Sequence, residues 1–225
     1  MSRVVWKNNH IISIETRKGI FTLGQMSKSP YLIFFNIFRK KDEWGGIDLN
    51  KIPVLFFKAV TNQFLRNSNI VKQKKVMPKT DFELPNKWIR DRSYGSRAVV
   101  VWPGTPQEKK IIIIGEGNNM LVEIDKTQHK HKYDGIYDKV LMPSIKSSDT
   151  KTIGSYEIDN LCVFPETNER LYLCYLFGKN VDPMKDLEFN RPLPPEYATY
   201  VDIISGASED KKKAKEIEEI FNHKR

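Results

Sequence analysis

Tyr31-Leu32-Ile33-Phe34-Phe35-Asn36-Ile37-Phe38 is almost wholly apolar, and Val54-Leu55-Phe56-Phe57-Lys58-Ala59-Val60 repeats its character after a polar interval. Periodicity alone does not separate a buried strand from a buried helix over so short a run. The phenylalanines and β-branched residues, with Pro30 directly ahead of the first run, favour strands covered on both faces. Upstream, residues 10–16 and 20–26 carry the same signature on either side of Arg17-Lys18-Gly19, a hairpin connection with glycine where a positive φ is needed. Between the two apolar runs, residues 39–50 read as a polar loop around Gly45-Gly46. The first sixty residues are thus expected to form an antiparallel meander or a small curled barrel with an aromatic interior.

Beyond residue 60 the pattern thins. A short helix is expected over 62–67, and residues 72–79 read as a solvated connector. Strand signals return at 97–102 and 109–114, joined by Pro103-Gly104-Thr105-Pro106-Gln107-Glu108, whose two prolines and glycine mark a turn. Residues 120–124 and 171–177 are further strand candidates, and 126–152 reads as a long polar loop. At the end of the chain Tyr197, Tyr200, Val201 and Ile204 fall on one helical face after Pro194-Pro195 and before Gly206. Ser208 is placed to cap a second helix with the narrow apolar stripe Ala214, Ile217, Ile220 and Phe221. The expected class is α+β: an antiparallel, strongly bent β-sheet or small barrel in the first half, with helices at the C-terminus. One domain over 1–225 is expected, β-rich over about 1–125, mixed over 126–190 and helical over 194–223.

Composition restricts the function classes. With 225 residues, 40% hydrophobic content, 12 Phe, 9 Tyr and 4 Trp, the chain can bury a sizeable core. No apolar run approaches the roughly 20 residues of a membrane helix, and the N-terminus lacks the apolar segment of a signal peptide. Two cysteines, Cys162 and Cys174, are too few for a disulfide framework and are expected as buried thiols, so the expected compartment is the cytoplasm. The net charge of +9 is uneven: residues 1–110 hold 21 Lys+Arg against 8 Asp+Glu, and residues 111–225 hold 16 against 20. The densest stretch, 66–97, carries Arg66, Lys72, Lys74, Lys75, Lys79, Lys87, Arg90, Arg92 and Arg97. Two readings stand for it: a face for an acidic partner, or a merely solvated surface.

No constellation for catalysis emerges. Gly115-Glu116-Gly117 lacks the third glycine of a dinucleotide loop and reads as a tight turn. His129 and His131 could share a strand face, but Lys130 and Lys132 would repel a metal ion, so no metal and no cofactor is expected. Asp91 with Glu108-Lys109-Lys110 has the local form of a Mg²⁺-dependent nuclease motif, but Glu108 falls in the Pro-Gly turn rather than on a strand. Binding, not bond-making, is the expected activity. Trp88 and Tyr94 among the cations also compose a phosphate-and-stacking surface, which keeps a nucleic-acid-binding accessory role as the alternative.

Gly19-Ile20-Phe21-Thr22-Leu23-Gly24-Gln25-Met26, followed by the two apolar runs and then by Lys87-Trp88-Ile89, resembles the opening of the immunity protein 26 family. The resemblance spans roughly residues 10–90 and departs at the long basic connector before Trp88. It implies a bacterial antitoxin of the polymorphic or contact-dependent inhibition type, one that binds a cognate toxin domain one-to-one in the cytosol. The toxin is often a nuclease, and the immunity protein has no catalytic residue, cofactor or membrane association of its own. Trp88, Arg90, Arg92 and Tyr94 are the expected partner-binding residues, because Trp, Tyr and Arg dominate binding hot spots.

Overall fold

The computed structural model describes residues 4–17, 19–93, 95–124, 139–205 and 211–221. Its strands, in chain order, are β1 (Ile11–Glu15), β2 (Phe21–Met26), β3 (Tyr31–Arg39), β4 (Val54–Val60), β5 (Ile70–Gln73) and β6 (Lys87–Asp91). They continue with β7 (Ser96–Val101), β8 (Lys109–Ile114), β9 (Asn119–Glu123), β10 (Lys139–Met142) and β11 (Leu161–Cys162). The helices are α1 (Asn62–Asn67), α2 (Thr150–Ser155), α3 (Glu166–Phe177), α4 (Pro183–Glu188), α5 (Ala198–Ile204) and α6 (Lys211–Phe221). The protein is α+β, dominated by antiparallel pairing in its first half and ending in helices. Among the described residues no helix is long and apolar enough to cross a membrane.

The chain divides into two compact units, each discontinuous in sequence. Unit 1 takes residues 1–82, 160–181 and 196–225; unit 2 takes 83–159 and 182–195. Unit 1 is built on a six-stranded sheet in the order β11-β4-β3-β2-β1-β5. Of the two forms expected, sheet or barrel, it is the open sheet, antiparallel throughout except where β11 runs parallel to β4. The expected hairpin turns at Gly19, with φ 79°. Both apolar runs are covered on both sides. Ile12, Ile14, Leu32, Phe34 and Leu55 face α1 and α3 through Phe64, Leu171 and Cys174. On the opposite face Ile11, Leu23, Ile33 and Phe35 are covered by Trp44, Leu49 and Val76.

Two expectations need correction, and the expected loop after β3 does more than its composition signals. The loop after β3 is polar in composition, yet it carries that second cover: Trp44 donates its indole N–H to Asp42 Oδ1 at 2.5 Å and lies buried against the sheet. The solvated connector over 72–79 begins inside β5, which pairs with β1, and Val76 is buried. Residues 171–177, taken for a strand, are the second half of helix α3. Its first half hides polar side chains. Asn168 bonds Glu15 O at 2.8 Å and accepts from Ser68 Oγ at 2.9 Å, and Arg170 donates to Val181 O at 2.9 Å while stacking over Phe56. Glu169 receives both ends of the Arg17 guanidinium. A helix buried through its polar residues has no apolar stripe to betray it, and its stop signal is Gly178 in the left-handed region. The two thiols are free and buried as expected, with burial pushing Cys162 up to about 11.

Unit 2 holds a three-stranded sheet, β10-β9-β6, and a separate two-stranded ribbon of β7 and β8. Ile89, Leu121, Ile145, Ile153, Ile158 and Phe189 form its core.

Candidate partner-binding surface

Three of the four expected partner-binding residues fall among the described ones, and all three belong to unit 2. Trp88 lies in β6, 2% exposed, with its indole N–H on Pro85 O at 3.1 Å, so it serves the core. Arg90 pairs with Asp159 at 3.1 Å. Arg92 is exposed and donates to Pro143 O at 3.1 Å. Tyr94 lies outside the described residues, as do His129 and His131 and the expected cap at Ser208.

The surface that stands out is one that sequence reasoning missed. β7 and β8 pair in register from Ser96↔Ile114 to Val101↔Lys109, and the alternation of their side chains splits them into two faces. Val101, Ile111 and Ile113 point inward and are buried. Outward stand Ala98, Val100, Ile112 and Ile114, with Lys110 across from Val100. Val100 is 49% exposed, Ile112 63% and Ile114 84%. A continuous apolar stripe in water on a folded protein is a common mark of an interaction site. No described strand pairs with the outer edge of either β7 or β8.

The ribbon is held firmly at both ends. Toward its base, Arg97 donates to Glu188 O at 2.8 Å, Leu187 O at 3.4 Å, Asn190 Oδ1 at 3.2 Å and the Glu188 carboxylate at 3.4 Å. At its tip the Trp102 indole donates to Leu193 O at 2.9 Å. Burial pushes the Glu188 carboxyl above the usual range, and Asn119 and Arg97 pull it back only in part. Below the base, the end of β6 and the β8–β9 connection lock together through Asp91, whose carboxylate accepts from Ser93 N–H at 2.8 Å, Ser93 Oγ at 2.7 Å and Gly117 N–H at 2.7 Å. Burial alone would raise this carboxyl; the Ser93 and Gly117 bonds outweigh it and hold Asp91 below the ordinary carboxylate value. The connection is the expected tight turn, with Gly115 at φ 104° and Gly117 at φ 84°. A Cβ on Gly115 would come within 2.6 Å of Asp91 Oδ2.

The residues of the nuclease-like motif are therefore engaged in local structure: Asp91 as described, and Glu108 accepting the Gly104 N–H at 2.6 Å within its turn. Among the described residues no group of three His, Cys, Asp or Glu side chains could hold a metal ion.

An α+β protein that presents an anchored ribbon with an apolar outer face is what fold and surface together define. The family model for a domain of unknown function (DUF8309) matches residues 1–191, and the chain belongs to that family. No curated protein and no solved structure matches it.

Proposed function

We propose that this protein is an immunity protein that binds a cognate bacterial toxin domain in the cytoplasm and neutralises it, docking through the outer face of the β7–β8 ribbon. The observation that carries the reading is the exposed stripe Ala98, Val100, Ile112 and Ile114 on a ribbon anchored at both ends. A surface fixed before binding loses little conformational freedom when it docks. The likeness of residues 10–90 to immunity protein 26 supplies the kind of partner. Lys110 beside the stripe suits an acidic rim on the toxin, which would set association rate and partner choice more than total affinity.

The test is co-expression with the neighbouring open reading frame, scored for rescue from growth arrest and for a one-to-one complex. The wild-type chain should rescue, and Ile112→Asp/Ile114→Asp should not, although an exposed double substitution leaves stability within about 1 kcal/mol. Rescue undiminished by the double variant would remove the ribbon from the interface, and the absence of any toxic neighbour would remove the function.

A further inference from the structure

The net charge belongs to one of the two units. The segments of unit 1 hold 23 Lys+Arg against 14 Asp+Glu, and those of unit 2 hold 14 of each. Within unit 1 the first 82 residues carry 15 against 5.

At one place this surplus is gathered into direct contact. Lys72, exposed on edge strand β5, has its Nζ 3.0 Å from Nε2 of His10, and Lys7 acts on the same ring. Burial, then Lys72, then Lys7 hold His10 below its ordinary value, against a backbone hydrogen bond at Val5. An ammonium can only donate, so the contact with Lys72 selects the imidazole form whose Nε2 carries no proton. Neither Lys7 nor Lys72 makes an ion pair with a described residue.

The local backbone keeps these groups together. His10 N–H bonds Lys7 O at 3.0 Å, Asn9 sits at φ 64°, and its N–H bonds Met26 O at 2.7 Å. The buried Gln25 amide then ties Asn9 Oδ1 to the backbone of Lys79, donating to Lys79 O and accepting from Lys79 N–H, both at 2.8 Å. Lys74 and Lys75 follow β5, exposed. One ammonium in contact with the imidazole and a second acting on it through space, neither in an ion pair with a described carboxylate, repel one another, and an anion relieves that repulsion.

We propose that Lys7, His10 and Lys72 form a binding site for a phosphate group, the unit that a nucleic-acid backbone repeats and that inorganic phosphate presents singly. The phosphate oxygens accept from both ammonium groups. His10, no longer opposed by them, takes a proton from solvent and becomes a third donor. Lys74 and Lys75 continue the basic surface for neighbouring phosphates. This site does not depend on the toxin-binding reading and lies in the other unit.

The experiment uses the full chain with two probes, a labelled single-stranded oligonucleotide followed by anisotropy against salt, and inorganic phosphate followed by the His10 imidazole resonance. Lys7→Gln/Lys72→Gln should weaken oligonucleotide binding by about tenfold and flatten the log–log salt slope by about 1.4, at about 0.7 per lost contact. The charge-matched control Lys146→Gln/Lys151→Gln, in unit 2, should change neither, and Lys7→Arg/Lys72→Arg should restore both. Phosphate or oligonucleotide should raise the His10 titration midpoint in the wild type and leave it in place in Lys7→Gln/Lys72→Gln. A shift with both probes assigns the site to any phosphate, and a shift with the oligonucleotide alone assigns it to the backbone. The proposal fails if the control pair costs as much as Lys7→Gln/Lys72→Gln, if His10 titrates identically with and without both probes, or if polyglutamate moves it as far as phosphate does. Growth rescue by Lys7→Gln/Lys72→Gln should remain intact, which separates this site from the toxin interface.

Discussion

Asp91 closes the last turn of β6 with both of its oxygens occupied, and an amide in its place would turn one N–H group toward another. Asp91→Asn should therefore cost about 1–3 kcal/mol at neutral pH, the usual price of an unmatched polar pair. Because the folded state holds this carboxyl below its ordinary value, the stabilisation is complete above the unfolded value of about 4 and is lost as pH falls through the folded one. Urea unfolding of the two proteins at several pH values checks this: their stability difference should be constant above about pH 5 and shrink below about pH 4. A difference that persisted undiminished to pH 2 would assign the effect to something other than the carboxylate. The turn beside it was legible from Gly115 and Gly117. The role of Asp91 was not, because a metal ligand and a turn-closing carboxylate look alike in one dimension.

At the level of elements, β7 and β8 depend on a seat that lies about ninety residues further along. Arg97 supplies it with four contacts to the 187–190 segment, and without that cation the Glu188 carboxyl, already pushed up by burial, loses its charged partner. Arg97→Ala should destabilise unit 2 by about 2–4 kcal/mol, discounted from the fully buried case because the guanidinium retains some contact with solvent. Measured by chemical denaturation, a loss below about 0.5 kcal/mol would show that the ribbon stands without this anchor. Both strands and their turn could be read from the sequence, but not which face of the ribbon is wet. Lys109 shares parity with Ile111 and Ile113, and Lys110 shares it with Ile112 and Ile114, so the alternation points equally well in either direction. β3 and β4 were legible for the opposite reason: cover on both faces makes nearly every position apolar and parity irrelevant. Helix α3 misled because Asn168, Glu169 and Arg170 are buried in polar pairings, the first two with Glu15 and Arg17 far off in the chain.

For the molecule as a whole, unit 1 draws its final cover from beyond residue 195. Tyr200 is buried and donates to Glu166 at 2.7 Å, Phe177 meets Tyr197 edge-on, and Phe164 meets Phe221. Tyr200→Ala should cost unit 1 about 3–5 kcal/mol, the range for emptying a buried aromatic site. Hydrogen exchange resolves the two units: amides of β3 and β4 should lose protection while those of β9 keep theirs. Equal losses in β9 would mean that the two units unfold together. No local pattern signals this division of the chain. It follows from long-range pairings such as β11 on β4 and Asn168 on Glu15.

That parallel β11–β4 pairing also bears on how the protein is made. Ala59 leaves the ribosome about a hundred residues ahead of its partner Leu161, an interval of about 5–20 s at ordinary rates of synthesis. Throughout that time the nascent sheet shows an unsatisfied edge at Ala59-Val60, with the helical cover of α3 still untranslated. Self-association of stalled or truncated chains is the hazard this gene order creates, and a translation slowdown between codons 60 and 160 would aggravate it.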